Sequence, residues 1–279
     1  MNAAPVAVRV PRIGTRRVWI GLLLAAIGIG AVYYAPAFAV LVEAIAIGCL
    51  WELGKLAESK GVGLEFTVAA LAVTAYIALT FFGTIGRYEG DLLSVTVVAA
   101  LATATFLERG HQLMRSAFTL LGVLYIGKLI SYFVAIRALP ELGVPLTVMA
   151  IVIVALTDIA AMVIGTTLGR RPLTPLSPRK TIEGAVGGLT VAGVTGIAWA
   201  LALHWAWWEG LAIGLVTSLA AQAGDLIESA LKRDAKVKDA GSAIGGHGGV
   251  LDRFDSYLFG GIAFYFSLFM FHATPAALP

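Results

Sequence analysis

Charge is what this sequence has least of. Asp, Glu, Lys and Arg make up 13% of its 279 residues, about half the share of a soluble globular domain. With 59% hydrophobic residues and a mean hydropathy of +0.88, the chain cannot cover itself with an ordinary wet surface. Cysteine is nearly missing too. Cys49 stands alone in an apolar run, which excludes an intrachain disulfide and argues against thiolate metal ligation. The four histidines (His111, His204, His247, His272) show no HExxH or paired-ligand spacing, so a zinc hydrolase has no support. A phosphate-binding P-loop is absent as well: the nearest string, Gly241-Ser-Ala-Ile-Gly-Gly246-His247, puts histidine where that loop needs lysine. There is no internal repeat, low-complexity tail or separate soluble domain. The basic stretch at 9–17 runs into an apolar segment without a signal-cleavage motif.

What is present is a series of apolar runs near the length that spans a bilayer. Nine segments are expected, at 18–34, 36–53, 64–83, 92–107, 116–136, 145–165, 183–203, 210–230 and 256–272. The fold class is therefore all-α, a polytopic integral membrane protein in one membrane domain. A basic N-terminus (1–17) precedes N-terminal helices (18–136), and C-terminal helices (137–279) carry the polar site. The distribution of bases tests the count, because cytoplasmic segments gather Lys and Arg. With the N-terminus inside and the C-terminus outside, only Arg87 and Arg137 of the 20 bases fall outside, and Lys128 falls within a span. Dropping one segment scrambles this alternation. The orientation places polar loops 166–182 and 231–255 in the cytoplasm, the side that supplies nucleotides and Mg²⁺. A multi-pass protein of the inner or plasma membrane is expected, with its site facing the cytoplasm.

Most spans carry little visible chemistry. Glu43 and Glu52 lie in or at the end of the second and read as paired or snorkelling acids. Lys128, near mid-span in the fifth, costs at least about 2.5–3.5 kcal/mol at that depth, so it is expected to face a polar cavity or an acid such as Asp158. Trp205, Trp207 and Trp208 read as an interfacial aromatic belt. The pairs Gly184/Gly188 and Gly210/Gly214 are GxxxG motifs, whose default meaning is close helix packing.

The informative stretch is 222–256. It holds six acids (Asp225, Glu228, Asp234, Asp239, Asp252, Asp255) and five bases (Lys232, Arg233, Lys236, Lys238, Arg253) around a glycine loop at 245–249. In the eighth span Ser218, Gln222, Asp225, Ser229 and Lys232 fall on one helix face, and a stripe this polar must face protein or water rather than lipid. Asp252 and Asp255 are three apart, so both carboxylates can share one side of a first helical turn; N-terminal capping is the simpler use for either. Hard carboxylate oxygens suit a divalent cation, while bases and glycine amides suit phosphates. A second loop reads Ser177-Pro178-Arg179-Lys180-Thr181-Ile-Glu183-Gly184. Ser177 before proline fits a helix N-cap, and a helix start bearing Arg and Lys is a ready anion site.

The order of these residues resembles the signature of the phosphatidate cytidylyltransferases (CDP-diacylglycerol synthases). It runs Ser229-Ala-Leu-Lys232-Arg233, Lys238-Asp239, then His247-Gly248-Gly249-Val-Leu-Asp252-Arg253-Phe-Asp255. The loop at 177–184 is similar to the family's SPKKTxEG element, with arginine at 179. Two positions depart: Gly245 stands where the family usually has proline, and Asp158-Ile-Ala-Ala-Met162 replaces an Asp-Thr-x-Ala-Tyr pattern. The resemblance implies a nucleotidyltransferase that condenses CTP with phosphatidate to give CDP-diacylglycerol and pyrophosphate, with lipid bilayer but no nucleic acid as partner. It implies Mg²⁺ or Mn²⁺ on Asp225 and Asp252, and leaves open a second, monovalent cation and a homodimer. Lys232, Arg233, Lys238, Arg179 and Lys180 would neutralise phosphates, with Ser177 and Thr181 on the same loop and Arg253 among the catalytic residues. His247 with Gly246, Gly248 and Gly249 would cover the triphosphate, and Asp239 or Asp255 would orient the bases. Two other readings stay open: a CTP-dependent enzyme acting on another lipid, such as a polyprenol kinase, and a membrane transporter, which predicts broken helices and related halves.

Overall fold

The computed structural model describes residues 26–107, 110–237 and 249–271. Its architecture is all-helical, as apolar runs of bilayer-spanning length require. The helices are α1 (Ala35–Ser59), α2 (Phe66–Phe81), α3 (Ile85–Phe106), α4 (Gln112–Gly122), α5 (Leu129–Arg137), α6 (Gly143–Leu168), α7 (Ile182–Ala202), α8 (Trp207–Asp234) and α9 (Leu251–Phe271). A π-helical segment, Val123–Lys128, joins α4 and α5 without a break, so 112–137 is one 26-residue span.

Seven helices among the described residues are long and apolar enough to cross a membrane: α1, α3, α4–α5 together, α6, α7, α8 and α9. Each coincides with an expected segment. The third expected segment is shorter than predicted, since α2 has 16 residues, about 24 Å of helix against a hydrocarbon core of about 30 Å. Both its ends have a physical stop. At the start, the backbone N–H of Glu65 donates to Thr119 Oγ1 at 2.8 Å. At the other end Gly83 adopts φ +69°, its N–H returns to Thr80 O, and that of Thr84 returns to Leu79 O, a Schellman closure that glycine permits without strain. Of the first expected segment, 18–25 lie outside the described residues and 26–32 are helical.

The helices alternate in direction, and contacts tie one end of the bundle together. Lys60 after α1 pairs with Asp234 at the end of α8, and Arg115 of α4 pairs with Glu65 at 2.8 Å before α2. Lys180 before α7 pairs with Asp225 of α8 at 2.6 Å, and Glu52 of α1 accepts from the Leu251 backbone N–H of α9 at 2.7 Å. The ends of α1 and α8 and the starts of α2, α4, α7 and α9 therefore meet at one face.

Helices α6, α7, α8 and α9 pack each against the next, and α9 also packs on α5 and α1. Small residues make this possible. A methyl on Gly184 would stand 2.6 Å from Ala161 O, and one on Gly188 3.0 Å from Thr157 O, so that GxxxG face lies on α6. Gly210 and Gly214 abut Gly196 and Ala192 of α7 in the same way. Both motifs thus serve close packing. The intramembrane Lys128 is paired with Glu89 of α3 rather than with Asp158, and the Tyr76 hydroxyl donates to Glu89 at 3.2 Å. No sequence pattern marks Glu89, which sits near a helix start among residues that pass for interface.

Candidate active site

Helix α8 organises the site. Its polar stripe does face protein: Ser218 is fully buried, and Gln222 Nε2 donates to Ala185 O of α7 and to Ser218 Oγ, both at 3.3 Å. One turn on, Asp225 holds Lys180. Near the helix end Lys232 lies between two carboxylates, 2.5 Å from Glu228 and 2.6 Å from Asp252 of α9. Glu228 is fully buried, an expensive location for an acid without a cation beside it.

The start of α9 supplies the opposing wall. Asp252 uses both oxygens, Oδ1 for Lys232 and Oδ2 for the Gly249 backbone N–H at 2.8 Å. It thus ties down the turn before α9, as the simpler use of an acid at this end suggests, while also holding a base. Asp255 is buried, accepts from the Ser256 backbone N–H at 2.7 Å, and lies within electrostatic range of Asp225, Glu228 and Asp158. Asp158 of α6 accepts from Ser256 Oγ at 3.3 Å and lies within range of Asp225 and Lys180. Helices α8 and α9 come close enough for this because Gly224 has no side chain; a methyl there would stand 2.6 Å from Asp255 O.

The loop before α7 is a clamp. Pro172 and Thr181 form an isolated antiparallel bridge, the Leu173 N–H donates to Lys180 O at 2.7 Å and the Ile182 N–H to Arg171 O at 2.9 Å. Glu183 draws in the backbone N–H groups of Arg170 and Arg171 at 3.0 and 3.2 Å. The N-cap of α7 is Thr181, whose hydroxyl accepts from the Gly184 N–H at 3.1 Å. This corrects the expectation that Ser177 caps the helix. Ser177 instead opens a turn, its carbonyl accepting from the Lys180 N–H at 3.0 Å, because the bridge at 172 and 181 delays the helix by four residues.

Of the predicted residues, Asp225, Lys180, Lys232, Asp252, Asp255 and Gly249 come together here. Thr181 positions Lys180 through the α7 cap. Arg179, Arg233 and Arg253 are exposed on the same face, and Ser177 remains on the loop. Lys238, Asp239, Gly246, His247 and Gly248 lie outside the described residues. Sequence reasoning gave no role to Glu228, nor to Tyr125 on the π segment. The Tyr125 hydroxyl is buried, without a hydrogen-bond partner among the described residues, and within range of Asp255 and Glu228. No spacing rule marks such a tyrosine.

Asp158, Asp225, Glu228, Asp252 and Asp255 face Lys180 and Lys232, an excess of carboxylate in a half-buried space. No group of three His, Cys, Asp or Glu side chains is arranged as a ready cage among the described residues, and Asp225 and Asp252 each hold a lysine.

The fold and site together define a polytopic membrane protein with an acid- and base-rich centre at one end of its helices. Residues 14–271 match the model of the Cytidylyltransferase family, and the chain belongs to that family. It is 35% identical over 240 residues to the phosphatidate cytidylyltransferase of Bacillus subtilis (strain 168), covering 84% of this chain and 89% of that protein. The phosphatidate cytidylyltransferase of Synechocystis sp. is 33% identical over 68% of this chain and 84% of its own length. That of Staphylococcus epidermidis is 40% identical over 77% and 83%.

Proposed function

We propose that this protein condenses CTP with phosphatidate, giving CDP-diacylglycerol and pyrophosphate, at the end of the bundle where the polar loops meet. The observation that carries the proposal is the paired arrangement on α8, with Asp225 bound to Lys180 and Asp252 to Lys232. Each pair joins a base that phosphate oxygens can claim to a carboxylate that holds it ready.

The chemistry needs little from the protein beyond placement. The phosphate of phosphatidate has a second pKa near 6, so its oxygen is already anionic near neutral pH and needs no general base. That oxygen attacks the α-phosphorus of CTP, the new P–O bond forms, and the bond to the β-phosphate breaks to release pyrophosphate. Repulsion between the two anions is the obstacle, and positioned positive charge is the remedy. Lys180 and Lys232 flank the carboxylate cluster, Arg179, Arg233 and Arg253 are exposed on the same face, and Lys238 would add a further base against phosphate. Ser177 and Thr181 lie on the loop that carries Lys180. His247 with Gly246, Gly248 and Gly249 would cover the triphosphate, and Asp239 or Asp255 would orient the bases. Asp225 and Asp252 would hold Mg²⁺ or Mn²⁺, which when bound offsets phosphate charge.

The same proposal gives nine crossings with the N-terminus and the site on the cytoplasmic side, supported by the distribution of bases. The transporter alternative loses ground because α6, α7, α8 and α9, which carry the site, each run uninterrupted. Purified protein given labelled CTP, phosphatidate and Mg²⁺ should form a CDP-lipid, and exhaustive chelation should abolish the product. Product from polyprenol instead of phosphatidate, or turnover undiminished after chelation, would overturn the substrate or the metal assignment respectively.

A further inference from the structure

Glu52 is a fully buried carboxylate in a membrane helix, and it touches neither lysine of the site. Its Oε2 accepts from the backbone N–H of Leu251 at 2.7 Å, across 199 residues of sequence. Its Oε1 has no hydrogen-bond partner among the described residues. Gly249 lies flush against the same carboxylate, since a methyl at that glycine would approach Glu52 Cδ to 2.8 Å. Leu251 is the first residue of α9, where backbone N–H groups have no partner within the helix and the helix dipole favours negative charge. The cap of α9 is therefore supplied by α1.

We infer that Glu52 is a positioning residue: by capping α9 it sets where Asp252 stands relative to Lys232. The connection is short. Glu52 fixes Leu251 and crowds Gly249, the Gly249 N–H is bound to Asp252 Oδ2, and Asp252 Oδ1 is bound to Lys232. Asp252 follows Leu251 directly, so a first turn without its cap moves the aspartate before anything else. Glycine at 249 is required because any larger residue would displace the carboxylate. The N-terminal helices thus take part in the site without reaching substrate.

The catalytic part of this role rests on the activity proposed above; the capping part does not. Full-length protein in detergent, as wild type, Glu52→Ala, Glu52→Gln and Glu52→Asp, separates the two. Hydrogen exchange of a peptide spanning 249–254 should quicken at least tenfold in Glu52→Ala. It should stay near wild type in Glu52→Gln, whose amide oxygen can still accept. In the CTP and phosphatidate assay, Glu52→Ala should lose more than tenfold in kcat and need more Mg²⁺ for half-activation, with KM for CTP changed less than threefold. Glu52→Gln should recover most of the rate. Glu52→Asp keeps charge but loses reach, so it should fall between, and it stands in for Glu52→Ala if that variant does not fold. Unchanged exchange in the reach-deficient variants would overturn the cap; faster exchange with wild-type kcat and Mg²⁺ dependence would overturn the positioning role. A wild type that makes no CDP-lipid would instead sink the proposed activity and leave the exchange result standing.

Discussion

At the scale of single residues, the pairings separate charges that serve the site from charges that merely sit near it. Asp225 and Asp252 each hold a half-buried lysine. Asp234 pairs with Lys60 on an exposed surface, where an ion pair is worth about 0–1 kcal/mol. Asp225→Asn and Asp252→Asn preserve volume and remove one negative charge each. Either should lower turnover by orders of magnitude in protein that still inserts and purifies, and the double variant should be little worse than the single ones, since residues of one unit fail together. Asp234→Asn should stay largely active. Equal collapse of Asp234→Asn in the same steady-state assay would mean that the site has been drawn around the wrong carboxylates.

At the scale of elements, the site depends on how closely α9 crosses α8. Gly224 makes that crossing possible, and the atom a side chain would meet is the backbone oxygen of Asp255, which cannot swing aside. Gly224→Ala should cost about 1–3 kcal/mol by overpacking and reduce activity more than tenfold, because the displaced backbone carries Asp252 and Asp255. Gly90 of α3 is the matched comparison, with nothing within 4 Å of an added methyl. Gly90→Ala should leave activity intact and hold or raise the midpoint, since alanine favours the helix by up to about 1 kcal/mol. Thermal unfolding in detergent, followed beside turnover, distinguishes the two glycines; equal midpoints would refute the close-crossing account.

At the scale of the molecule, alternation of the helices puts the loop at 170–181 and the turn at 138–142 on opposite faces. Leu176 and Glu141 are exposed there, whereas the native Cys49 is fully buried and will not compete for reagent. An impermeant maleimide applied to intact cells should label Glu141→Cys at once and Leu176→Cys only after the membrane is opened. The opposite order would reverse the orientation inferred from the bases and put the site on the wrong side for CTP.

Much of this protein was legible in its sequence because lipid is a demanding solvent. A helix crossing a bilayer must be long, apolar and internally hydrogen-bonded, so the seven long apolar helices among the described residues could be read from hydropathy. The stripe from Ser218 to Lys232 was legible for the same reason, as were the acids that ride with it: a polar face in such a helix has to be covered. What only the tertiary structure decided is which groups meet. Glu52 and Leu251 are 199 residues apart, and no local spacing links them. Lys128 took Glu89 instead of Asp158, Thr181 instead of Ser177 capped α7, and α2 stopped short at Gly83. Each outcome follows from contacts between distant segments, where a buried charge or a free backbone N–H takes whichever partner the packing brings within reach.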